Sequence, residues 1–335
     1  MPLITQRSEV LDLYAEAARL GWVIPAFGTE NLTTTEAILA GTLEYGRSIG
    51  RDDLPVTIAI TNTYSGRSQS ANYTHTSDPT LGLRLFHADV KALTDKASPF
   101  ANLRVMTHLD HGQHDTDRDV LDGDLSEWSS VMFDASALPI EENIAATRAY
   151  VCQRREDALI EGACDEINHA GASGEASCSS PEVVERYAKE TGVDIVVGNL
   201  GTEHRAGASA LSYRGDLARQ IRERIGTKLC LHGTSSVSFD QLSELFSDGI
   251  CKVNLWTAFE RDSSPPLLEH LARHASQVAG PAQAKALQAA GWLGSNADCQ
   301  SATSLDFCTT RARQQLVFEA MKRMVIRWLG AWYRL

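Results

Sequence analysis

The sequence predicts an α/β chain folded as a (β/α)8 TIM barrel with extra C-terminal helices, on three observations. Eight short apolar runs recur along the 335 residues, the runs are continuous rather than alternating, and intervening segments carry apolar residues at helical spacing. In order, the runs are "VIPAF" 23–27, "VTIAI" 56–60, "RVMTHL" 104–109, "SSVMF" 129–133, "ALIEGA" 158–163, "DIVVGNL" 194–200, "KLCLHG" 228–233 and "GICKVNL" 249–255. Continuous apolar runs suit strands buried on both faces. Between them, "SPEVVERYAKETG" 180–192 and "SFDQLSELFSDG" 238–249 read as helices closed by Gly. A doubly wound open sheet is the structural alternative, but no GxGxxG follows the first run. The barrel is assigned to residues 1–262. Residues 263–335 form a helical extension expected to pack on the barrel or on a partner subunit. It holds a Pro-Pro start at Pro265 and Pro266, an Ala-rich helix near 280–292, a polar stretch 294–305 and the amphipathic "RQQLVFEAMKRMVIRWLGAWY".

Composition narrows the partners. Hydrophobic residues make up 43% and charged residues 22%, as in a soluble globular protein, and the formal net charge is −12. With no dense run of Lys and Arg, neither nucleic acid nor an anionic membrane is an expected partner. The N-terminal "MPLITQRSEVLDLYAEAARLG" is amphipathic, unlike a secretory signal or a membrane span, so a cytoplasmic location is expected. The seven cysteines are scattered, without a CxxC pair, and read as reduced, mostly core residues. A zinc ion would therefore be held by His and carboxylate.

The stretch "THLDHGQHD" 107–115 places Asp110, His111 and His114 just past the third run, on the face where a barrel carries its chemistry. His204 in "GNLGTEHRAG" follows the sixth run and His232 in "LCLHGTSS" ends the seventh. Three imidazoles from three strand ends can converge on one metal and leave a coordination position open. The alternative is three separate loop or core histidines. Asp134, Glu161, Asp165 and Glu166 lie at the same level, able to orient an imidazole, to bind the metal or simply to cap the next helix. Asp110, beside His111, is the candidate for moving a proton to or from a metal-bound substrate.

These motifs resemble the class II, zinc-dependent ketose-bisphosphate aldolases, a barrel family, from about residue 10 to about residue 262. The matching segments are "PAFGTEN" for AFNxxN, "HLDHG" 108–112, "SVMFDAS" 130–136 with "ENIAAT" 142–147, and "ETGVDIVVGNLGTEH" 190–204 for TGVD leading to GTxHG. "LHGTSS" 231–236 stands for LHGGSG and "KVNLWT" 252–257 for KINxxT. The resemblance implies one Zn2+ per subunit, held by His111, His204 and His232, with room for an assisting monovalent cation. It implies Asp110 as the residue exchanging a proton with the aldehyde-derived hydroxyl, and Asp134 as a residue that orients a ligand or binds metal itself. Glu166 best matches the family's ELG glutamate, with Glu161 nearly as good. Asn254, Thr257, Gly233, Ser235 and Asn31 fall at substrate- or phosphate-binding positions. The implied reaction is reversible cleavage of a ketose (bis)phosphate to a dihydroxyacetone-phosphate-like donor and an aldehyde, and a homodimer or homotetramer is expected. Lys228 and Lys252 lie at the start of or inside their strands, so no lysine is expected to form an imine at the catalytic face.

Three positions depart from the family pattern. "GTSS" loses two glycines of the phosphate loop, Arg205 replaces a glycine after His204, and Gly28 stands for an asparagine. Arg205 brings a planar fork able to grip a carboxylate or phosphate, or forms an ordinary surface ion pair. The departures open a second reading, the same zinc chemistry on a non-phosphorylated or carboxylated ketose. A catalytically silent structural or regulatory barrel is a third reading, yet the metal-binding and acid/base residues are all present. A barrel zinc hydrolase usually opens with a His-x-His pair on its first strand, which "VIPAF" lacks. His114 is expected in a loop and His108 packed in the barrel wall. Tyr64, Ser65 and Arg67, after the second run, either line the pocket or form a solvated loop.

Overall fold

A computed structural model describes residues 3–64, 66–166, 168–169, 178–204 and 213–334. Eight parallel strands close a barrel: β1 (Ile24–Gly28), β2 (Pro55–Thr61), β3 (Arg104–Gln113), β4 (Ser130–Asp134), β5 (Leu159–Ala163), β6 (Ile195–Val197), β7 (Leu229–Leu231) and β8 (Ile250–Leu255). Each pairs with the next in sequence, and β8 closes on β1 through Ile24↔Lys252 to Phe27↔Leu255. All eight runs read from sequence are strands, because their burial on both faces follows from a barrel filled inside and covered by helices outside.

Local signals delimit the covering helices. Ser180 caps the helix Pro181–Thr191, which ends at Gly192 in a left-handed conformation with φ +73°. The segment 238–249 is shorter than expected: a capping box of Ser238 and Gln241 starts the helix Phe239–Leu242, and turns follow. There Asp248 is drawn away to accept from Arg219 Nη1 at 2.6 Å and Tyr213 Oη at 2.8 Å.

Pro265 and Pro266 do not start a helix. They lie inside the helix Thr257–Arg273, which runs unbroken through the expected boundary at 262/263. Proline lacks the N–H that an interior helical position donates. The carbonyls of Arg261 and Asp262, four residues before them, therefore receive no such bond, and just before these the Glu260 carbonyl accepts from the hydroxyls of Ser263 at 3.0 Å and Ser264 at 2.9 Å. The final helix, Thr310–Trp332, packs on its own barrel: Val325, Trp328, Leu329 and Trp332 belong to the same buried core as the strands. Trp328 lies 6.0 Å from Phe27 between ring centroids, and Tyr333 Oη donates to the Pro55 carbonyl at 2.6 Å. Ala275, Ala284 and Cys299 form a separate small core among the C-terminal helices. Among the described residues, no helix is long and apolar enough to cross a membrane.

Candidate active site

The site is built around an irregularity in β3. Between β3 and β4 the register runs Leu109↔Val131 and then Gly112↔Phe133, so β3 carries one extra residue. His111 lies in that bulge with φ +50°, a backbone conformation uncommon for a side chain other than glycine. On a regular strand, neighbouring side chains point to opposite faces, and Asp110 and His111 could not share the barrel mouth. With the bulge, both line one cleft, together with Thr61, Tyr64, Arg67, Gln69, His232 and the segment Gly233–Ser235, and with Asn254–Ala258 from the end of β8.

Ring geometry prepares two imidazole nitrogens for a common partner. His111 Nε2 and His232 Nδ1 stand 3.1 Å apart. The opposite nitrogen of each ring meets a carboxylate: His111 Nδ1 meets Asp134 Oδ2 at 2.7 Å, and His232 Nε2 meets Glu161 Oε1 at 3.0 Å. Such outer contacts fix tautomer and orientation and leave the facing nitrogens to ligate. Two nitrogens on a tetrahedral zinc, each about 2.1 Å from it, stand about 3.4 Å apart, so the pair fits. The ligating atoms of Asp110, His111 and His232 all lie within 4.8 Å of one another. A second set within that limit is Glu161, Cys230 and His232. Its chemistry is poorer, because burial pushes the Cys230 thiol well up and Lys252 already engages Glu161.

Charges below the cleft are paired inside the barrel. Glu161 Oε2 accepts from Lys252 Nζ at 2.6 Å, and Lys252 Nζ is 3.0 Å from His108 Nε2, all three fully buried. Burial opposes the charge on Glu161, but Lys252, His232 and His108 hold its carboxyl well below the usual range. His108 is pushed down to about 3 by burial and by Lys252, so it is neutral. It sits in the barrel interior, bonded to Ser130 Oγ at 2.9 Å, rather than in the wall. Asp110 also resists ionisation through burial, yet His111, His232, His108 and Lys252 hold its carboxyl down. Asn254 Nδ2 donates to Asp110 Oδ1 at 2.8 Å and orients it.

The structure places the other candidates unevenly. Asp134 is locked by His111 and by Ser136, whose Oγ donates at 2.6 Å. Gly233 adopts φ +67° and starts the turn Thr234–Ser236, so the left-handed position survives in "GTSS". Ser235 and Thr257 line the cleft. Asn31 does not reach it: its side chain caps the helix Leu32–Ser48, accepting from the Thr34 N–H at 2.9 Å. Glu166 is exposed, offering its backbone carbonyl to Asn199 Nδ2 at 3.1 Å. His204 ends a two-residue bridge, Glu203–His204 beside Asn168–His169, and only its backbone is described. Arg205 and Ser65 lie outside the described residues. His114 stays in the loop, its N–H bonded to the Asp134 carbonyl at 3.0 Å. Tyr64 stacks on His111 with centroids 4.1 Å apart.

Sequence reasoning missed Asp117, Lys252 as a partner of Glu161, the lining residues Gln69 and Trp256, and Glu30 behind Arg67. Asp117 Oδ1 accepts from Asn62 Nδ2 at 2.8 Å while its Oδ2 accepts from the Gln113 N–H at 2.8 Å, tying the loops after β2 and β3 together. A signal for Lys252 existed: period-two alternation puts Lys252 on the same face as Asn254, and His108 on that of Asp110.

A sequence model described as fructose-bisphosphate aldolase class-II matches residues 8–324. The chain is 29% identical over 259 residues to the fructose-bisphosphate aldolase of Treponema pallidum, covering 70% of each. Its fold is shared with the fructose-bisphosphate aldolase of Campylobacter jejuni, at a TM-score of 0.73, 16% identity and coverage of 98% of this chain and 94% of that one. It is also shared with the YdjI aldolase of Escherichia coli K12, at a TM-score of 0.62, 18% identity and coverage of 96% and 95%.

Proposed function

The chain belongs to the class-II fructose-bisphosphate aldolase family, and from that premise we propose that the cleft around Asp110, His111 and His232 cleaves and forms the carbon–carbon bond of a ketose bisphosphate. The family makes it a carbon–carbon lyase with a sugar phosphate substrate and metal-dependent chemistry. The reading assigns His111, His232 and His204 as ligands of one zinc ion. The observation that carries it is the 3.1 Å approach of His111 Nε2 to His232 Nδ1 with Asp110 alongside.

A bound zinc ion supplies Lewis acidity toward the ketose carbonyl and its neighbouring hydroxyl. The protein's own groups do the rest. Asp110, held ionised and oriented by Asn254, takes the proton from the hydroxyl on the carbon that becomes the aldehyde. The electron pair of the broken bond stays on the donor carbon, which takes up a proton from water to give the dihydroxyacetone-phosphate-like product, while Asp110 releases its proton to water. In condensation Asp110 returns the proton. Asp134 and Glu161 keep the two imidazoles aimed, and Tyr64 covers one face of His111. The left-handed Gly233, Ser235, Asn254 and Thr257 form the receptor for the donor's phosphate and hydroxyls.

A carboxylated or non-phosphorylated ketose is the second reading. It is favoured by the "GTSS" hydroxyls, since Thr234 Oγ1 donates to the Asn254 carbonyl at 2.7 Å and Ser236 Oγ to that of Gly233 at 2.7 Å, away from a ligand. A dimer or tetramer remains part of the proposal, supported by exposed Leu268, Trp292 and Leu305 on and between the C-terminal helices, as does a cytoplasmic location.

The test is turnover of fructose 1,6-bisphosphate by metal-loaded protein, with released triose phosphate read by a coupled assay, with and without a chelator. Cleavage that the chelator abolishes supports the reading. A protein holding stoichiometric zinc that leaves this substrate intact excludes the bisphosphate and favours the second reading.

A further inference from the structure

Arg67, on the segment after β2, is the one side chain with a permanent positive charge among the described residues lining the cleft. Its backbone is pinned on both sides, its N–H donating to the Tyr64 carbonyl at 3.1 Å and its carbonyl accepting from Thr61 Oγ1 at 3.0 Å. Its guanidinium lies 4.7 Å over the ring of Trp256 at the end of β8. Glu30, beyond the end of β1, engages the Nε and Nη2 edge, with Nε 3.2 Å from Oε2, and Glu30 is itself held by Asn72 Nδ2 at 2.9 Å.

Two details turn this ion pair toward a ligand. First, the pair is lopsided: the Arg67 side chain is 40% exposed and that of Glu30 only 9%, so the cation faces the cleft while its counter-ion is enclosed. A guanidinium has a second edge of donors for a second anion. Second, the platform is built around a departure from the family pattern, Gly28. A Cβ on residue 28 would lie 3.1 Å from Trp256 Cβ and 2.8 Å from Gln69 Nε2, so Gly28 is what lets the indole and Gln69 stand there. Gln69 Oε1 in turn accepts from the Thr61 N–H at 2.8 Å, fixing the end of β2 from which Arg67 hangs.

We propose that Arg67, braced by Trp256 and Glu30, determines specificity by binding an anionic group, phosphate or carboxylate, on the aldehyde half of the substrate. The inference rests on the aldolase reading, in which Gly233, Ser235 and Thr257 already serve the donor half. Glu30 then acts as an internal competitor that neutralises Arg67 until the substrate anion arrives.

The test compares condensation of dihydroxyacetone phosphate with glyceraldehyde 3-phosphate, with 4-oxobutanoate and with uncharged glyceraldehyde by the metal-loaded wild type, Arg67→Gln and Glu30→Gln. In Arg67→Gln the kcat/KM ratio of a charged to the uncharged aldehyde falls by about tenfold or more, carried by KM, while Glu30→Gln moves it the other way. The charged aldehyde showing the larger fall identifies phosphate or carboxylate as the natural group. An equal loss on all three aldehydes, or none, overturns the proposal. A wild type that condenses no aldehyde overturns the aldolase reading instead, and binding then decides Arg67. Inorganic phosphate and malonate are titrated against intrinsic fluorescence, with Trp256→Phe isolating the indole. A saturable Trp256 signal lost in Arg67→Gln supports the anion site, and no such signal in the wild type overturns it.

Discussion

His111 Nε2 faces His232 Nδ1 across 3.1 Å, although the two residues are 121 apart in sequence, and each ring is held from behind by a buried carboxylate. Removing such a carboxylate contact typically weakens metal binding about 10- to 100-fold. Asp134→Asn is expected to do so while leaving the fold intact, because Ser136 still bonds the remaining amide oxygen through its Oγ and its N–H. Competition with a chromophoric chelator measures it; unaltered zinc affinity would show that the Asp134 contact does not tune the site.

Asp110→Asn keeps the size of the side chain and its reach to Asn254 but removes the basic oxygen. Loss of a positioned acid/base group costs about 10²- to 10⁴-fold in rate, so kcat should fall by that order while bound zinc per chain is retained. Wild-type kcat in a protein of full metal content would take the proton transfer away from Asp110.

Lys252 and Glu161 are fully buried with Nζ and Oε2 2.6 Å apart. Removing one partner of a buried pair costs about 3–5 kcal/mol because the other charge is left uncompensated. Lys252→Met should lower unfolding stability in urea by that amount, and adding Glu161→Gln should recover part of it. A single substitution costing under about 1 kcal/mol would mean that water reaches the barrel interior.

Gly28 and Trp256 are coupled through space. A methyl at residue 28 meets Trp256 Cβ at 3.1 Å and Cδ1 at 3.2 Å, and overpacking of this kind costs about 1–3 kcal/mol. Gly28→Ala should therefore destabilise the wild type more than it destabilises a Trp256→Ala background, which keeps Cβ but removes the contact with Cδ1. Strict additivity in the double-mutant cycle would contradict the contact.

Glu260 has a carboxyl pushed up to about 7, by burial and then by the negative charge of Glu30, against a smaller opposing effect of Arg67. Its Oε1 has no hydrogen-bond partner among the described atoms. A carboxyl raised on folding contributes stability below its unfolded value, and that contribution disappears as pH rises through the folded value. Wild type should thus lose stability relative to Glu260→Gln as pH rises from about 4.5 to about 8, by at most about 3 kcal/mol. Thermal melts of both proteins across that range check the sign; parallel curves would place Glu260 in water.

The sequence by itself determined the barrel and the identity of its chemical groups. Eight doubly buried runs admit few architectures, and in a barrel the strand ends bring the backbone of residues 110, 111 and 232 to one end of the barrel. The resemblance in "HLDHG" and "LHGTSS" pointed the same way. Tertiary structure decided how those groups are aimed. A one-residue bulge at His111 turns neighbouring side chains onto one cleft, and no periodicity announces it, since register depends on a partner strand. Asn31, although it matches a family asparagine, is consumed as a helix cap. Glu161 lies beneath His232, whereas Glu166 is exposed, because β5 ends between them. The platform of Gly28, Trp256 and Arg67 joins the ends of β1, β8 and β2, which meet only when the barrel closes. Local pattern reports which faces are buried; distances between side chains far apart in the chain are set by the closure that buries them.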